Sequence, residues 1–279
     1  MGAKLLRAAL LFAPLALVSA QALPDDAGQA TLRALEKIAA GAHRSEANRA
    51  RDRYRHPVET LSWLGIRDDM TVVELSPGEG WYTEILAPFL RERGTFYAAS
   101  YDPESKVEYY RNTARSFSEK LAATPALYDK VIVTVLEVPD KLAIAPDGSA
   151  DLVLTFRNLH NWMEEGQAER VLRAAHRALK PGGTLGLVQH RAKPGAPQDP
   201  AAKSGYVDPA FAIALAEAAG FTFAGSSEIN ANPADTKNYA EGVWTLPPTL
   251  TLEEVDRERY VAIGESDRMT LKFVKPAAR

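Results

Sequence analysis

Two clusters of residues have types and spacings suited to chemistry. The first is VVELSPGEGWYTE, Val72 to Glu84, where an apolar run carries an acid, Glu74, crosses a loop with Gly78 and Gly80, and enters a helical pattern. Glycines there let the backbone turn sharply and let a ligand approach with no Cβ in the way. The helix start that follows offers unpaired N–H groups to an anionic group. Glu74, closing the strand, is able to accept hydrogen bonds from a cationic ligand group. Asp102 lies 22 positions after Gly80, near the offset of about 20 residues at which an acid holds ribose hydroxyls in dinucleotide folds. The full GxGxxG fingerprint is not met, because Thr83 occupies its third glycine position, and no GK[ST] follows.

The second cluster is Arg157-Asn158-Leu159-His160-Asn161-Trp162, at the end of a strand-like run. His160 is suited to act as a base or a hydrogen-bond donor. Asn158 and Asn161 are suited to orient a polar substrate. Trp162 offers either a stacking face or packing for the next helix. His190 and Arg191 close another strand on the same rim, with Arg191 either holding a carboxylate or phosphate or forming a surface ion pair. Asn230 to Lys237 reads as a substrate lid or as an ordinary loop. Tyr54 and Arg55 either close over a ligand or lie on a solvated helix face. Gly264 to Arg268 reads as a structural turn.

These groups need elements to hold them. Strands are expected at 71–75, 95–102, 131–137, 151–156, 184–189, 221–229 and 268–275, with helices between them. The apolar runs of the first, third, fourth and fifth strands suit burial on both faces. Lys180-Pro181-Gly182-Gly183 reads as a turn before the fifth strand. Asp208-Pro209 is a helix start, and Thr251-Leu252-Glu253-Glu254 reads as a capping box opening a helix to Ile263. Alternating strands and helices predict an α/β fold, a parallel sheet with helices on both faces. Ligands of such sheets bind outside the carboxyl ends of the strands.

Residues 1–22 read as a signal peptide: Lys4 and Arg7, a short apolar run, then small-x-small sites ending at Ala20 and Ala22. Export to the periplasm is expected, with no stable membrane insertion after cleavage. Residues 23–66 form an N-terminal helical segment and 67–279 the main domain. A net charge of −3 with no basic block gives no reason to expect a nucleic-acid partner. The absence of cysteine excludes disulfides, thiolate zinc sites and a cysteine nucleophile. No HExxH pattern prompts a metal site. The sequence sets no oligomeric state.

An acid closing strand one, a short glycine loop, an acid closing strand two and a terminal strand pair resemble the class I S-adenosylmethionine-dependent methyltransferases. More narrowly, VVELSPGEGWYTEILAP, DLVLTFRNLHNW, SEINANPADTK, EGVWTLPP and YVAIGESDRMTLKFVKP resemble a bacterial group of predicted, often exported, methyltransferases. The resemblance implies a Rossmann-like seven-stranded sheet of order 3-2-1-4-5-7-6. It implies S-adenosylmethionine as cofactor, with Glu74, Ser76, Gly78 and Gly80 around its methionine part and Asp102 on its ribose. Ser76 departs from the family's first glycine. It also implies methyl transfer to a small-molecule substrate. Two other readings remain open on the residues alone: an exported non-catalytic ligand-binding protein on this fold, or another enzyme class with His160 as base.

Overall fold

The structure is a computed structural model that describes residues 26–277. The expected signal peptide, residues 1–22, lies outside the described residues. Four helices come first: α1 (Asp26–Ala39), α2 (Glu46–Arg49), α3 (Asp52–Arg55) and α4 (Pro57–Leu64). The alternation then starts with β1 (Thr71–Leu75), α5 (Thr83–Leu90), β2 (Thr95–Ser100), α6 (Glu108–Ala123), α7 (Pro125–Tyr128) and β3 (Val131–Val135). It continues with β4 (Ala150–Phe156), α8 (Leu159–Glu164), α9 (Ala168–Ala178) and β5 (Leu179–His190). The last third holds α10 (Pro209–Ala218), β6 (Thr222–Ser227), α11 (Arg257–Ile263) and β7 (Arg268–Val274).

The seven strands form one sheet of order β3-β2-β1-β4-β5-β7-β6, the Rossmann-like arrangement that the resemblance implies. The first five strands pair in parallel, and β7 runs antiparallel to both β5 and β6. The pleat separates the apolar side chains into two cores. Val73, Leu75, Val153, Leu185, Leu187 and Leu271 face α9 and α10. Val72, Phe96, Leu152, Leu154 and Val188 face α1, α4 and α5. Glu74 falls on the same side as Val72, beneath the N-terminal helices. No helix among the described residues is long and apolar enough to cross a membrane.

Three local expectations change. β3 is the sheet edge, so Ile132 and Val133 are 41% and 47% exposed rather than buried on both faces. β5 starts at Leu179 and runs through the four residues expected to form a turn, with its register to β4 shifting between Ala150 and Leu152. The capping box at Thr251 opens no helix: α11 begins only at Arg257. Leu250, Glu253 and Asp256 all adopt positive φ, 49°, 53° and 51°, which breaks any right-handed helix across 250–256.

Candidate active site

The carboxyl ends of β1, β4 and β5 open into a cavity of about 700 Å³. A second cavity of about 640 Å³ lies over the ends of β2 and β3. Ser76, Tyr101, Tyr110 and Asn161 line both, so the two join across the glycine loop. Glu74 and Gly78 stand in the first cavity and Asp102 in the second. An elongated ligand reaching from Glu74 to Asp102 would pass among these four shared residues.

The loop's backbone explains its composition. Ser76, Gly78 and Gly80 have φ of 47°, 60° and 79°. A Cβ on Gly78 meets nothing within 4 Å, so its direction is open space. A Cβ on Gly80 would come within 3.0 Å of the Phe117 ring. Ser76 holds the left-handed conformation at a cost of about 1–2 kcal/mol. It is kept there by its N–H donating to the Ala99 carbonyl at 2.9 Å. Its carbonyl also accepts from Asn158 Nδ2 at 3.3 Å.

Glu74 is buried, and Thr83 Oγ1 donates to its Oε2 at 2.7 Å. Burial raises its carboxyl to about 7, against the opposing pull of the Thr83 hydroxyl and the Lys120 charge. It is thus close to half protonated at neutral pH, and a cation beside it would favour the carboxylate. Asp102 is ionised: the Lys141 ammonium, bonded to its Oδ2, and the Glu104 N–H, at 3.0 Å from Oδ1, hold it below its ordinary value.

On the other half of the cleft stand Asn158, His160 and Asn161. Asn158 Nδ2 donates to the Leu75 carbonyl at 3.0 Å as well as to Ser76. Its amide nitrogen braces the glycine loop, which is a positioning task. Asn161 touches both cavities and is the residue of the three whose side chain makes no hydrogen bond among the described residues.

His160 is buried, and burial lowers its imidazole to about 4; Gln189 opposes this and the Arg157 charge adds to it. Gln189 Nε2 donates to the Gly205 carbonyl at 2.9 Å and to His160 Nδ1 at 3.1 Å. Gln189 Oε1 lies farther from Nδ1, at 3.4 Å; the shorter contact favours Nδ1 as acceptor, which puts the neutral ring's proton on Nε2, an atom with no protein partner among the described residues. His160 is therefore arranged as a hydrogen-bond donor and is a poor base. His190 packs edge-on at 5.3 Å and bonds the Ser266 hydroxyl; burial and then the charges around it lower its imidazole well below the ordinary value.

The structure decides between the alternatives left open at the rim. Trp162 is buried in the sheet core and also lines the second cavity, so packing and a face toward the cleft coexist. Arg191 is held in an ion pair, its Nε and Nη2 at 2.9 and 2.8 Å from Asp267, with Glu228 on Nη1 at 2.7 Å. The 230–237 segment is pinned rather than free to close: Asn230 bonds Thr60 and Thr270, and Asp235 bonds Tyr206. Arg55 is not on a solvated face but is 2% exposed and lines the cavity.

The residues missed by sequence reasoning are those that converge from afar. Val243, Trp244, Pro247 and Pro248 form one wall. Tyr82 stacks on Phe156 at 3.5 Å, with ring planes 7° apart. Glu265, fully enclosed, binds Arg51 Nε at 2.6 Å, Arg55 Nε at 3.0 Å and Arg268 Nη2. Burial alone would raise that carboxyl; Arg268, Arg55, Arg157 and Arg51 overcome it and hold the group well below the carboxylate range. The sequence offered the charged turn Gly264 to Arg268 and the four-residue spacing of Arg51 and Arg55, but not that the two would meet.

Residues 73–187 match the methyltransferase domain family. That span contains the glycine loop, Asp102 and the 158–161 loop. A SAM-dependent methyltransferase from Aquifex aeolicus has the same fold, with a TM-score of 0.54 at 15% identity over 88% of this chain and 98% of its own. The 4+2 cyclase SpnF does too, with a TM-score of 0.56 at 15% identity over 90% of this chain and 95% of its own. At such identity the likeness is one of fold. No curated protein matches the chain in sequence.

Proposed function

We propose that this protein is an S-adenosylmethionine-dependent methyltransferase acting on a small molecule. The observation that carries the reading is the joined cleft, which sets Glu74 and Asp102 at opposite sides of a positive-φ loop within a matched methyltransferase domain. The residues suit the cofactor: Glu74 beside a cationic amino group, Gly78 giving open approach, and Asp102 free to accept from ribose hydroxyls on the lone pairs left by Lys141 and Glu104. Tyr101, Leu136 and Val138 offer the second cavity an apolar lining for a base.

When bound, S-adenosylmethionine supplies a methyl group activated by a sulfonium centre. The protein then has to place an acceptor atom in line and exclude water. His160 Nε2 and Asn161 are the polar groups placed to orient that acceptor. Asn158 couples the acceptor loop to the glycine loop. Trp244 and the Tyr82–Phe156 pair wall off solvent.

We further propose that the chain is exported, as in the bacterial group its segments resemble, with the signal at residues 1–22 removed. This rests on the N-terminal charge, apolar run and small-residue sites alone. Intact mass of the chain recovered from its producing cell should correspond to a start at residue 21 or 23; a full-length chain recovered from the cytoplasm refutes it.

The cofactor reading is tested by calorimetric titration of residues 23–279 with S-adenosylmethionine and S-adenosylhomocysteine. Binding at micromolar ligand, lost on Asp102→Ala, is expected. Absence of binding at millimolar ligand removes the cofactor from the mechanism.

A further inference from the structure

We infer that Arg55, Arg157 and Arg268 form an oxyanion subsite, and that the methyl acceptor carries a carboxylate or phosphate group which this subsite holds. The inference deepens the methyl-transfer reading and rests on it only for the word acceptor.

The argument starts from the two oxygens of Glu265. Oε1 takes Arg51, and Oε2 takes Arg55 and Arg268. No carboxylate remains for the rest of the guanidinium surface. Arg55 gives Glu265 only its Nε; its Nη1 and Nη2 are buried and have no hydrogen-bond partner. Arg268 Nε is buried and unpartnered as well. Arg157, which lines the same cavity, makes no side-chain hydrogen bond or ion pair among the described residues. Four guanidiniums thus meet one carboxylate, and the histidines between them are neutral. Buried donors are almost always paired, and charged ones most strongly require it. The mutual repulsion is visible in the arginines themselves: burial and then the neighbouring cations push Arg55 well below its ordinary value and Arg157 to about 10. One planar oxyanion between them would satisfy the free N–H groups and offset the excess charge.

The position separates this subsite from the ribose end of the cofactor. Arg157 follows β4, Arg268 opens β7, and His190, paired with Arg268 across the sheet, closes β5. Asp102 lies after β2, on the far side of β1. Beside the arginines stand Phe156, Tyr82, Trp244 and Pro247, which suit an apolar or aromatic body attached to the anion.

The test titrates residues 23–279 by calorimetry with benzoate, phenyl phosphate and neutral benzamide, with and without saturating S-adenosylhomocysteine. Expected is binding of one or both anions at millimolar concentration or below, in the presence of S-adenosylhomocysteine, with benzamide at least tenfold weaker. The preferred anion tells carboxylate from phosphate. Arg157→Gln should weaken that anion at least tenfold while the ligand-free thermal midpoint does not fall, because the lost guanidinium makes no hydrogen bond or ion pair with the protein and its repulsion from the other arginines offsets its attraction to Glu265. An unchanged affinity with a lowered midpoint makes Arg157 structural and overturns the inference. So does binding of neither anion. Anions that bind only the cofactor-free protein, and are displaced by S-adenosylhomocysteine, mark the cofactor's own carboxylate site and also overturn it. If S-adenosylhomocysteine fails to bind while anions bind through Arg157, the subsite stands and the methyl-transfer reading falls.

Discussion

Replacing Glu74 by glutamine should make the protein more stable at neutral pH while weakening its cofactor. The folded carboxyl titrates at about 7, against 4.5 in an ordinary setting. Between those values the folded protein keeps a proton that the unfolded chain has released. Stability therefore falls as pH rises through that window, and levels off above it. At about 1.36 kcal/mol per pH unit the loss is roughly 3 kcal/mol. Glutamine has no such titration, and its amide oxygen can still accept from Thr83. The advantage of Glu74→Gln over the native protein should be near its minimum at pH 4 and about 3 kcal/mol larger at pH 8. For a domain of this size that is roughly 6–12 °C in thermal midpoint. Paired thermal and urea melts at several pH values measure it directly. Because a cationic amino group favours the carboxylate, cofactor binding should release a proton below pH 7. Its calorimetric enthalpy would then depend on the buffer's ionisation heat. A stability difference that does not change between pH 4 and 8 would show that Glu74 is not strained by burial.

At Ser76, glycine removes a left-handed strain of about 1–2 kcal/mol but adds about 0.5–1 kcal/mol of unfolded-chain entropy. Ser76→Gly should thus gain about 1 kcal/mol or less, and branched Ser76→Val should lose more than about 1 kcal/mol, both read from urea midpoints. The His160 ring, lowered to about 4, should show no NMR titration between pH 8 and 5; a midpoint above 6 contradicts the burial-lowered, neutral ring. Glu265→Gln leaves three paired arginines without their carboxylate and should cost about 3–5 kcal/mol. In the native protein that contribution is complete above pH 4.5 and is lost as acid titrates the carboxylate, which a pH series of melts on both proteins resolves.

The sheet was legible because its strands announce themselves through local apolar runs bounded by glycine and proline. TVVEL and DLVLTF need no distant partner to be recognised. Glycine-loop geometry was legible too, since Gly78 and Gly80 serve the backbone's own requirements. That Ser76 takes positive φ could not be read, because the force holding it comes from Ala99 and Asn158, in other strands and loops. The rim misled for a related reason. Arg191 and Arg55 have the same side chain, and only their neighbours make one a closed ion pair and the other a cavity donor. The failed capping box shows the reverse error: at Thr251 a good local motif opens no helix, and its N–H bonds back to the Trp244 carbonyl at 3.0 Å instead.

Glu265 lies 214 positions from Arg51 and 210 from Arg55. A chain synthesised from its N-terminus carries these arginines without a counter-charge until almost all of it has been made. The arginine cluster consequently gains its carboxylate only when the chain is nearly complete. Glu265 and Arg268 arrive together with β7, the strand that joins β6 to β5, so a chain truncated before Glu265 should lack both the arginines' carboxylate and the bridge to β6.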